Sequence, residues 1–486
     1  RDTDRSRGLG DVYKRQKVSS KELPEFHVAP QIGWINDPNG FSYYNGKAHL
    51  FYQFHPYGKE WGPMHWGHCV SSDLIKWEYC PVALAPDMDY DVDGCFSGSA
   101  IATDKGHMLV YTGVSHEEIN GERQEFQNQC IALGDGKSYK KIEKNPVITG
   151  DMMPENFSRE HFRDPKVWKE DDGYYLVAGN KTSDGKPHVV LFYSENMYDW
   201  KYVSVLAEDN TGKYGTMWEC PDFFELDKRH VLIASPQDMC ADEEFHNGNN
   251  SVYFIGDYDR KQHKFNYDEV YALDDGIDFY APQTTLTPDG RRVMIGWMQS
   301  WDSNIRPVTQ KWSCMMTIPR ELTFADGRIV QSPVREIAEY YTDDVYYKGQ
   351  KVHEKTGFQG INGRMLDMTV EIPDGDFDEF KICFAENERF RSWLIYNNVK
   401  KELEINRLYS GMNRDTIGVR KVRLRYPKES LKLRFILDKY SAEIFINDGS
   451  QVLSMTYYTP LDADGISFEC DGDTVINIEK HGIFVR

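Results

Sequence analysis

The feature that most constrains the fold is an internal repeat. Residues 71–79 (SSDLIKWEY) match residues 194–202 (SENMYDWKY), with serine, tryptophan and tyrosine coinciding at an offset of 123 residues. A second similarity has nearly the same offset, because Asp37-Pro38 opens one strand–turn–strand pattern and Asp164-Pro165 opens another 127 residues later. Self-similarity at a fixed period is typical of repeat architectures, in which each repeat is one supersecondary unit.

The two matching segments are far enough apart to hold two units of about 60 residues each. Strand patterns of this kind begin near positions 37, 97, 164, 219 and 278, which lie 60, 67, 55 and 59 residues apart. Each unit holds about four short strands, which is the size of a β-propeller blade, so we predict five blades around a central channel. The alternative is a pair of all-β sandwiches with a chance similarity.

The pattern changes after Leu322. We predict a propeller over residues 17–330, a linker over 331–345 with some helix near 334–341, and a C-terminal β-sandwich over 346–486, where β-type alternation and an Asn-Asp-Gly turn prevail. Residues 1–16 are rich in arginine and show no apolar period, so we interpret them as an artefactual or disordered tail. The predicted fold class is all-β, a five-bladed propeller followed by a sandwich.

Composition narrows the class of function. The chain has 486 residues, a net charge of −20 and 14% aromatic residues, which fits a neutral substrate and disfavours nucleic acid or an anionic membrane as the main partner. No apolar run approaches the roughly 20 residues that span a bilayer. The nine cysteines are scattered and form no C-x-x-C pair, so they indicate neither a disulfide framework nor a zinc site and favour a reducing, cytoplasmic location.

Three of the five repeats begin with a carboxylate: Asp37, Asp164 and Glu219. Because the first strand of each blade lines the channel of a propeller, we expect these acids to converge at one mouth. Acids that are forced together repel, and this cost is tolerated mainly at functional sites. Two carboxyl groups that flank a glycosidic bond are what its hydrolysis needs, so the sequence predicts a glycosidase site.

The residues beside these acids suggest how each is tuned. Arg163 adjoins Asp164, and we expect its guanidinium to help hold that acid ionised. Glu219 lies between Trp218 and Cys220, and we expect these apolar neighbours, with the other two negative charges, to favour the protonated form that a general acid needs.

Two other clusters resemble metal sites but do not complete one. His65 and His68 lie in a strand region that offers no third ligand. The acidic segment 87–93 has aspartates at alternate positions but lacks the downstream glutamate of an EF-hand, so a solvated loop is the simpler interpretation. We therefore predict neither a metal ion nor a cofactor.

The motifs around the three acids resemble the signature motifs of glycoside hydrolase family 32, the family of invertases, inulinases and levanases. These signatures are residues 34–40 (WINDPNG), 162–165 (FRDP) and 218–221 (WECP). Supporting matches are 64–68 (MHWGH), 96–99 (FSGS), 278–283 (DFYAPQ), 318–322 (IPREL) and 443–449 (EIFINDG). The resemblance runs from His27 to the C-terminus, so residues 1–16 are outside it.

The resemblance implies an enzyme that releases terminal β-D-fructofuranosyl units with retention of configuration. Carried over motif by motif, Asp37 is the nucleophile, Glu219 is the general acid/base, and Asp164 holds the ring hydroxyls of the fructosyl unit and stabilises the transition state. The implied substrate-binding residues are Trp34, Asn36, Gln53, Trp61, Phe96, Ser97, Arg163, Tyr280 and Trp297. One departure from the family pattern, residues 54–56 (FHP), bears on the leaving group and not on the reaction.

The substrate is less constrained than the chemistry. Sucrose is favoured, with sucrose 6-phosphate and short fructooligosaccharides as further candidates, and the resemblance allows a homo-oligomer formed through the sandwich. An exo-acting inulinase or levanase is the alternative, which a shallow aromatic surface outside the pocket would favour. A fructosyltransferase uses the same three acids, whereas a non-catalytic carbohydrate-binding propeller is expected to have lost one of them.

Overall fold

The computed structural model describes residues 20–303, 305–411 and 416–485, so the predicted tail over residues 1–16 lies outside the described part of the chain. Within it the structure is almost entirely β, with 31 strands and four short 3₁₀ helices. The helices are Ser20–Glu22, Asp89–Asp91, Gly150–Met152 and Arg335–Tyr340. None of the described helices combines the length and the apolar character that crossing a bilayer requires.

Five sheets, each built on four antiparallel strands, confirm the predicted propeller. The blades are, in chain order, β1 (Gly33–Tyr44), β2 (Lys47–His55), β3 (His65–Ser71) and β4 (Trp77–Leu84); β5 (Gly94–Thr103), β6 (Gly106–Ile119), β7 (Glu122–Gly134) and β8 (Tyr139–Lys141); β9 (Arg163–Glu170), β10 (Gly173–Lys181), β11 (Pro187–Ser194) and β12 (Lys201–Glu208); β13 (Trp218–Leu226), β14 (Arg229–Pro236), β15 (Val252–Asp259) and β16 (Lys264–Ala272); and β17 (Tyr280–Leu286), β18 (Arg292–Trp297), β20 (Arg320–Ala325) and β21 (Arg328–Pro333).

The repeat spacing located the innermost strand of each blade. Positions 37, 97, 164 and 219 lie inside β1, β5, β9 and β13, and position 278 lies two residues before β17. An Asn45-Gly46 turn joins β1 to β2, with φ of 50° and 74° at its two residues, which matches the twist of the flanking strands. A further short strand, β19 (Trp312–Ser313), leaves the fifth blade and pairs in parallel with the start of β1, which closes the ring.

The C-terminal part forms one ten-stranded sheet that folds over into a sandwich-like unit. Its strands are β22 (Tyr341–Thr356), β23 (Leu366–Pro373), β24 (Glu379–Glu386), β25 (Arg391–Asn397), β26 (Glu402–Tyr409), β27 (Val419–Arg423), β28 (Ser430–Asp438), β29 (Ser441–Ile446), β30 (Gln451–Thr456) and β31 (Gly465–Ile483). The first part of β31 pairs with β24 and its second part with β23, and one core buries side chains from both halves.

Residues 331–345, predicted as a linker, hold the end of β21, the helix Arg335–Tyr340 and the start of β22. The domain limits themselves stay a prediction.

Buried charges join the propeller to the sandwich. The guanidinium of Arg320 in β20 donates to Glu443 of β29 and, at 2.9 Å, to Asp274, with all three side chains fully buried. His27 contacts Glu443 at 2.9 Å and Asp438 at 2.8 Å. Burial alone would lower the pKa of His27, but its hydrogen bonds to the two carboxylates raise that pKa to about 9. A charged network therefore fixes the orientation of the two domains.

Candidate active site

Each innermost strand has a break in its pairing register close to its start. Two residues face one on the partner strand at positions 36–37, 164–165, 220–221 and 281–282, and Ser97 is the extra residue on β5. Such β-bulges bend a strand and redirect its side chains, and they are frequent beside active sites. In three blades the residue before the bulge proline has a positive φ, namely 65° at Asp164, 50° at Cys220 and 52° at Ala281.

The register also shows which residues are equivalent between blades. Arg163, Glu219 and Tyr280 each occupy the last paired position before the bulge. Asp37 and Asp164 instead lie within their bulges. The three acids therefore do not share one register position: Asp37 is the second and Asp164 the first residue of its bulge, and Glu219 aligns with Arg163 and Tyr280.

These register-equivalent side chains of the third, fourth and fifth blades contact one another. Arg163 donates from Nε at 3.1 Å and from Nη2 at 2.8 Å to Oε1 of Glu219. The hydroxyl of Tyr280 donates to Oε2 of Glu219 at 2.7 Å. The expectation of apolar surroundings for Glu219 is thus wrong, because its polar contacts come from other blades and not from its chain neighbours.

Asp37 is held from two sides by its own blade and the next. The hydroxyl of Ser97 donates to Oδ2 at 2.6 Å and the amide of Asn36 donates to Oδ1 at 3.1 Å. Asn36 is positioned in turn by the indole of Trp34, which donates to its side-chain oxygen at 2.9 Å. Burial, followed by the charge of Glu219, raises the pKa of Asp37 to about 6, although the hydrogen bonds from Ser97 and Asn36 act in the opposite direction.

Asp164 receives a hydrogen bond at 2.9 Å from the backbone N–H of Cys220 to its Oδ2. Burial raises the pKa of Asp164, the charge of Arg163 opposes this, and together with the charges of Glu219 and Asp37 the pKa reaches about 7. The charge of Arg163 acts in the expected direction and favours the ionised form of Asp164, although the effect of burial is larger.

One group of side chains in the described part of the chain could be compared with a metal site. Asp37, Asp164 and Cys220 each place one ligand atom within 4.8 Å of the others. Burial raises the pKa of the Cys220 thiol well above its ordinary value, and the sulfur lies 3.5 Å from Asp37 Oδ2 and 3.6 Å from Asp164 Oδ2. Metals bind the thiolate, so a thiol that keeps its proton fits a donor between two carboxylates better than a ligand.

Aromatic side chains surround the acids. The ring of Trp297 is fully buried, with centroids 5.8 Å from Trp34 and 6.5 Å from Tyr280. Trp61 is 48% exposed and meets the ring of Phe96 edge-on at 5.9 Å. The ninth predicted binding residue, Gln53, is buried, and its side-chain nitrogen donates to the carbonyl of Cys95 at 3.0 Å.

Sequence reasoning missed two residues beside Trp34. Trp301 stacks on Trp34 at 6.3 Å, lies 4.9 Å from Trp297 and is 37% exposed. The guanidinium of Arg306 lies 5.6 Å over the Trp34 ring and forms an ion pair with Glu60, next to Trp61. A second tryptophan four residues after the end of β18 was the available signal for Trp301, whereas only the three-dimensional structure brings Arg306 to Trp34.

Comparison with known families matches nearly the whole described chain. The model of the N-terminal domain of glycosyl hydrolases family 32 matches residues 27–333. The model of the C-terminal part of the same family matches residues 336–482.

Individual proteins are similar over almost their full length. A sucrose-6-phosphate hydrolase of Escherichia coli is 36% identical over 442 residues, which cover 90% of this chain and 89% of that protein. A raffinose invertase of Escherichia coli is 37% identical over 471 residues, with 95% and 96% covered. A solved family 32 β-fructofuranosidase of Bombyx mori superposes with a TM-score of 0.85 at 32% identity, covering 100% of this chain and 99% of that one.

Proposed function

Because the chain belongs to glycoside hydrolase family 32 and is a glycoside hydrolase, we propose that it releases terminal β-D-fructofuranosyl residues, with sucrose as its main substrate. The observation that carries the proposal is the convergence of three carboxylates from three blades, each in a different hydrogen-bond setting. The relatives whose names refer to sucrose 6-phosphate and raffinose support a fructoside as the substrate.

In the proposed first step, Asp37 attacks the anomeric carbon of the fructosyl unit. The bond to the leaving oxygen breaks as Glu219 gives it a proton, so the leaving sugar departs as an alcohol and a fructosyl ester of Asp37 remains. In the second step Glu219 takes a proton from water, which attacks the same carbon and frees Asp37. Two displacements at one carbon give retention of configuration.

The contacts of each acid support these roles. Asn36 and Ser97 fix both oxygens of Asp37, which orients a nucleophile without removing its charge. Glu219 accepts hydrogen bonds from Arg163 and Tyr280, a pattern that suits the ionised form needed in the second step. Asp164 uses Oδ2 for the backbone of Cys220, and its remaining acceptor capacity suits the ring hydroxyls of a fructosyl unit.

The decisive experiment is product analysis on sucrose, sucrose 6-phosphate, a short fructooligosaccharide, inulin and levan. Wild type and Asp37→Ala are assayed side by side, and the anomer first released is identified by NMR. We expect fastest release of fructose from sucrose, an initial product of retained configuration, and no turnover by Asp37→Ala. Binding of sugar without release from any of the five substrates by the wild type would overturn the proposal.

An exo-acting fructanase is the second candidate, and one observation favours it. Tyr57, Trp61 and Trp301 are 60%, 48% and 37% exposed, which offers the aromatic surface that a chain of fructosyl units would contact. Release from inulin or levan at a rate comparable with that from sucrose would move the assignment to this candidate. Accumulation of longer fructosides at high sucrose would instead indicate a fructosyltransferase.

A further inference from the structure

The innermost strands run in one direction along the channel, from the mouth with the acids to the opposite mouth. At that opposite end the later residues of β1, β5, β9, β13 and β17 line a second cavity, with a volume of about 610 Å³. It is therefore built by all five blades, as the pocket with the acids is, but none of the acids borders it.

Hydrogen bonds between blades separate this cavity from the acids. Gln283 accepts from the backbone of Phe41 at 2.8 Å and donates to the carbonyl of Gly98 at 3.0 Å. Ser99 donates to the carbonyl of Pro165 at 2.7 Å. Side chains from the second and fifth blades thus tie four blades together between the acids and the second cavity, so a ligand in the second cavity would not be one bound at the acids.

The floor of the cavity holds more positive than negative charge. The ammonium of Lys166 lies 3.3 Å from the carboxylate of Asp222 and donates to the carbonyl of Thr284 at 2.6 Å. Arg292 lies next to this pair, and no carboxylate of the described residues is within 4.0 Å of its guanidinium. Two cations therefore share one acid, in a protein whose net charge is −20.

Arg292 is also poorly satisfied in hydrogen bonding. Its Nη1 makes one long contact of 3.4 Å with Thr284, its guanidinium lies 4.5 Å over the ring of Phe224, and its Nε is buried without a partner. Burial lowers the pKa of both Arg292 and Lys166. A guanidinium with a buried donor and no close carboxylate is costly, and an anion that contacts Arg292 and Lys166 would reduce that cost.

The walls of the cavity are mainly aromatic, whereas its floor is charged. Tyr43, Trp168 and Tyr258 are half-buried on its sides, and Leu286 is 55% exposed at its rim. Aromatic rings offer flat apolar faces to a sugar ring, whereas a guanidinium and an ammonium match the oxygens of a phosphate. The volume exceeds what a bare phosphate ion needs.

We propose that this second mouth of the channel binds a phosphate monoester of a sugar, with the phosphate on Arg292 and Lys166 and the sugar against the aromatic wall. No residue of the proposed fructosyl pocket takes part, so the site stands independently of the proposed function. The chemistry shared by free phosphate and a sugar phosphate is the tetrahedral oxyanion, and the sugar is what the walls add.

The test is titration calorimetry and thermal unfolding of the full chain with inorganic phosphate, glucose 6-phosphate and glucose, at an ionic strength matched with sodium chloride. We expect both phosphates to bind and to raise the melting temperature, the ester more tightly, and glucose to have no effect. Arg292→Gln is expected to weaken phosphate binding by about tenfold or more, since it removes a charge-assisted contact. The control Arg260→Gln, at the rim where Arg260 already pairs with Glu170, should bind as the wild type does.

Unliganded Arg292→Gln should unfold at a temperature no lower than the wild type, because it removes a buried charge that lacks a counter-charge. If that variant does not fold, Lys166→Met and tungstate-soaked crystals of the wild type test the same site. The proposal is overturned if phosphate stabilises no more than chloride does, if Arg292→Gln and Arg260→Gln lose binding equally, or if tungstate leaves the cavity empty.

Discussion

At the scale of single residues, Glu219 accepts hydrogen bonds that suit a carboxylate, although its proposed role as a general acid requires a proton. Two nitrogens of Arg163 and the hydroxyl of Tyr280 donate to its oxygens, which favours the carboxylate. A general acid must nevertheless carry a proton when the leaving group departs. Of the other two acids, Asp164 has a pKa raised to about 7 and can hold a proton at neutral pH, whereas Asp37, with a pKa of about 6, is mostly ionised there.

Removal of the Glu219 carboxyl should affect substrates according to their leaving group. We expect Glu219→Ala to slow sucrose hydrolysis by about 10²–10⁴-fold, because the departing sugar oxygen needs a proton, and to slow an activated aryl fructoside far less. Steady-state kinetics on both substrates, compared with Asp37→Ala, measure this difference. Equal losses on the two substrates would argue against Glu219 as the acid.

The acidic limb of the pH profile should report the raised pKa of Asp37. An ordinary aspartate has a pKa of about 4, whereas Asp37 stands near 6. Since the nucleophile must be ionised, kcat/KM should fall as the pH drops through about 6. The hydrogen bond from Ser97 lowers the pKa of Asp37, so Ser97→Ala should move this limb to higher pH. Ser138→Ala, on a surface turn, should leave it unchanged, and a limb near pH 4 in the wild type would contradict the assignment.

At the scale of elements, the bulges decide which side chains face the channel. An extra residue on β9, β13 and β17 shifts the later residues of each strand by one position relative to the partner strand. Arg163 and Glu219 contact each other because each is the last paired residue before the bulge of its strand. Gly179 lies opposite Arg163 in β10, where a Cβ would come within 2.2 Å of the carbonyl oxygen of Trp218.

Gly179→Ala should therefore push the third and fourth blades apart beside Glu219. We expect a loss of about 1–3 kcal/mol in the free energy of unfolding, the cost of overpacking. The loss of kcat could reach about 10²-fold, because a displacement of about 1 Å in a catalytic group can slow the reaction by that factor. Denaturant titration and sucrose kinetics measure the two effects. Gly357→Ala is the matched control, because nothing lies within 4 Å of its added Cβ, and equal effects of the two substitutions would refute this explanation.

The sequence predicted the elements better than it predicted their register. Alternating strands, turn residues and an approximate 60-residue spacing were enough to place β1, β5, β9 and β13 and to bring their acids to one mouth. The partner of Arg163 was not predictable in the same way, because chain adjacency suggested Asp164 whereas the bulge turns the guanidinium toward the next blade. Trp301 was not predicted as a site residue, because its contact with Trp34 joins the first and fifth blades, which are far apart in the sequence.

At the scale of the whole molecule, the two domains are joined by charges that water does not reach. Arg320 and its partners Asp274 and Glu443 have fully buried side chains, and Glu443 also contacts His27. Each charged side chain in this buried network needs a partner of opposite charge, because a single unpaired charge in the interior costs several kcal/mol. The interface therefore depends on a complete set of partners.

Arg320→Met should destabilise the protein by about 3–5 kcal/mol, since it leaves the buried carboxylate of Asp274 without its cation and Glu443 with His27 alone. Chemical denaturation followed by tryptophan fluorescence measures the change. The control is Lys432→Met, which removes an exposed pair with Asp448 and should cost about 1 kcal/mol or less. Equal costs for the two variants would mean that the buried network does not hold the domains together.

The parallel pairing of β19 with β1 has a consequence for how the protein is made. Gly33 and Trp34, just before the nucleophile candidate Asp37, find their neighbours Trp312 and Ser313 about 280 residues further along the chain. A ribosome must therefore translate most of the fifth blade before the edge of the first one is covered. Until then the nascent chain carries an open strand edge, the type of surface that invites pairing with another chain. We expect this interval of synthesis to be when the protein depends most on chaperones.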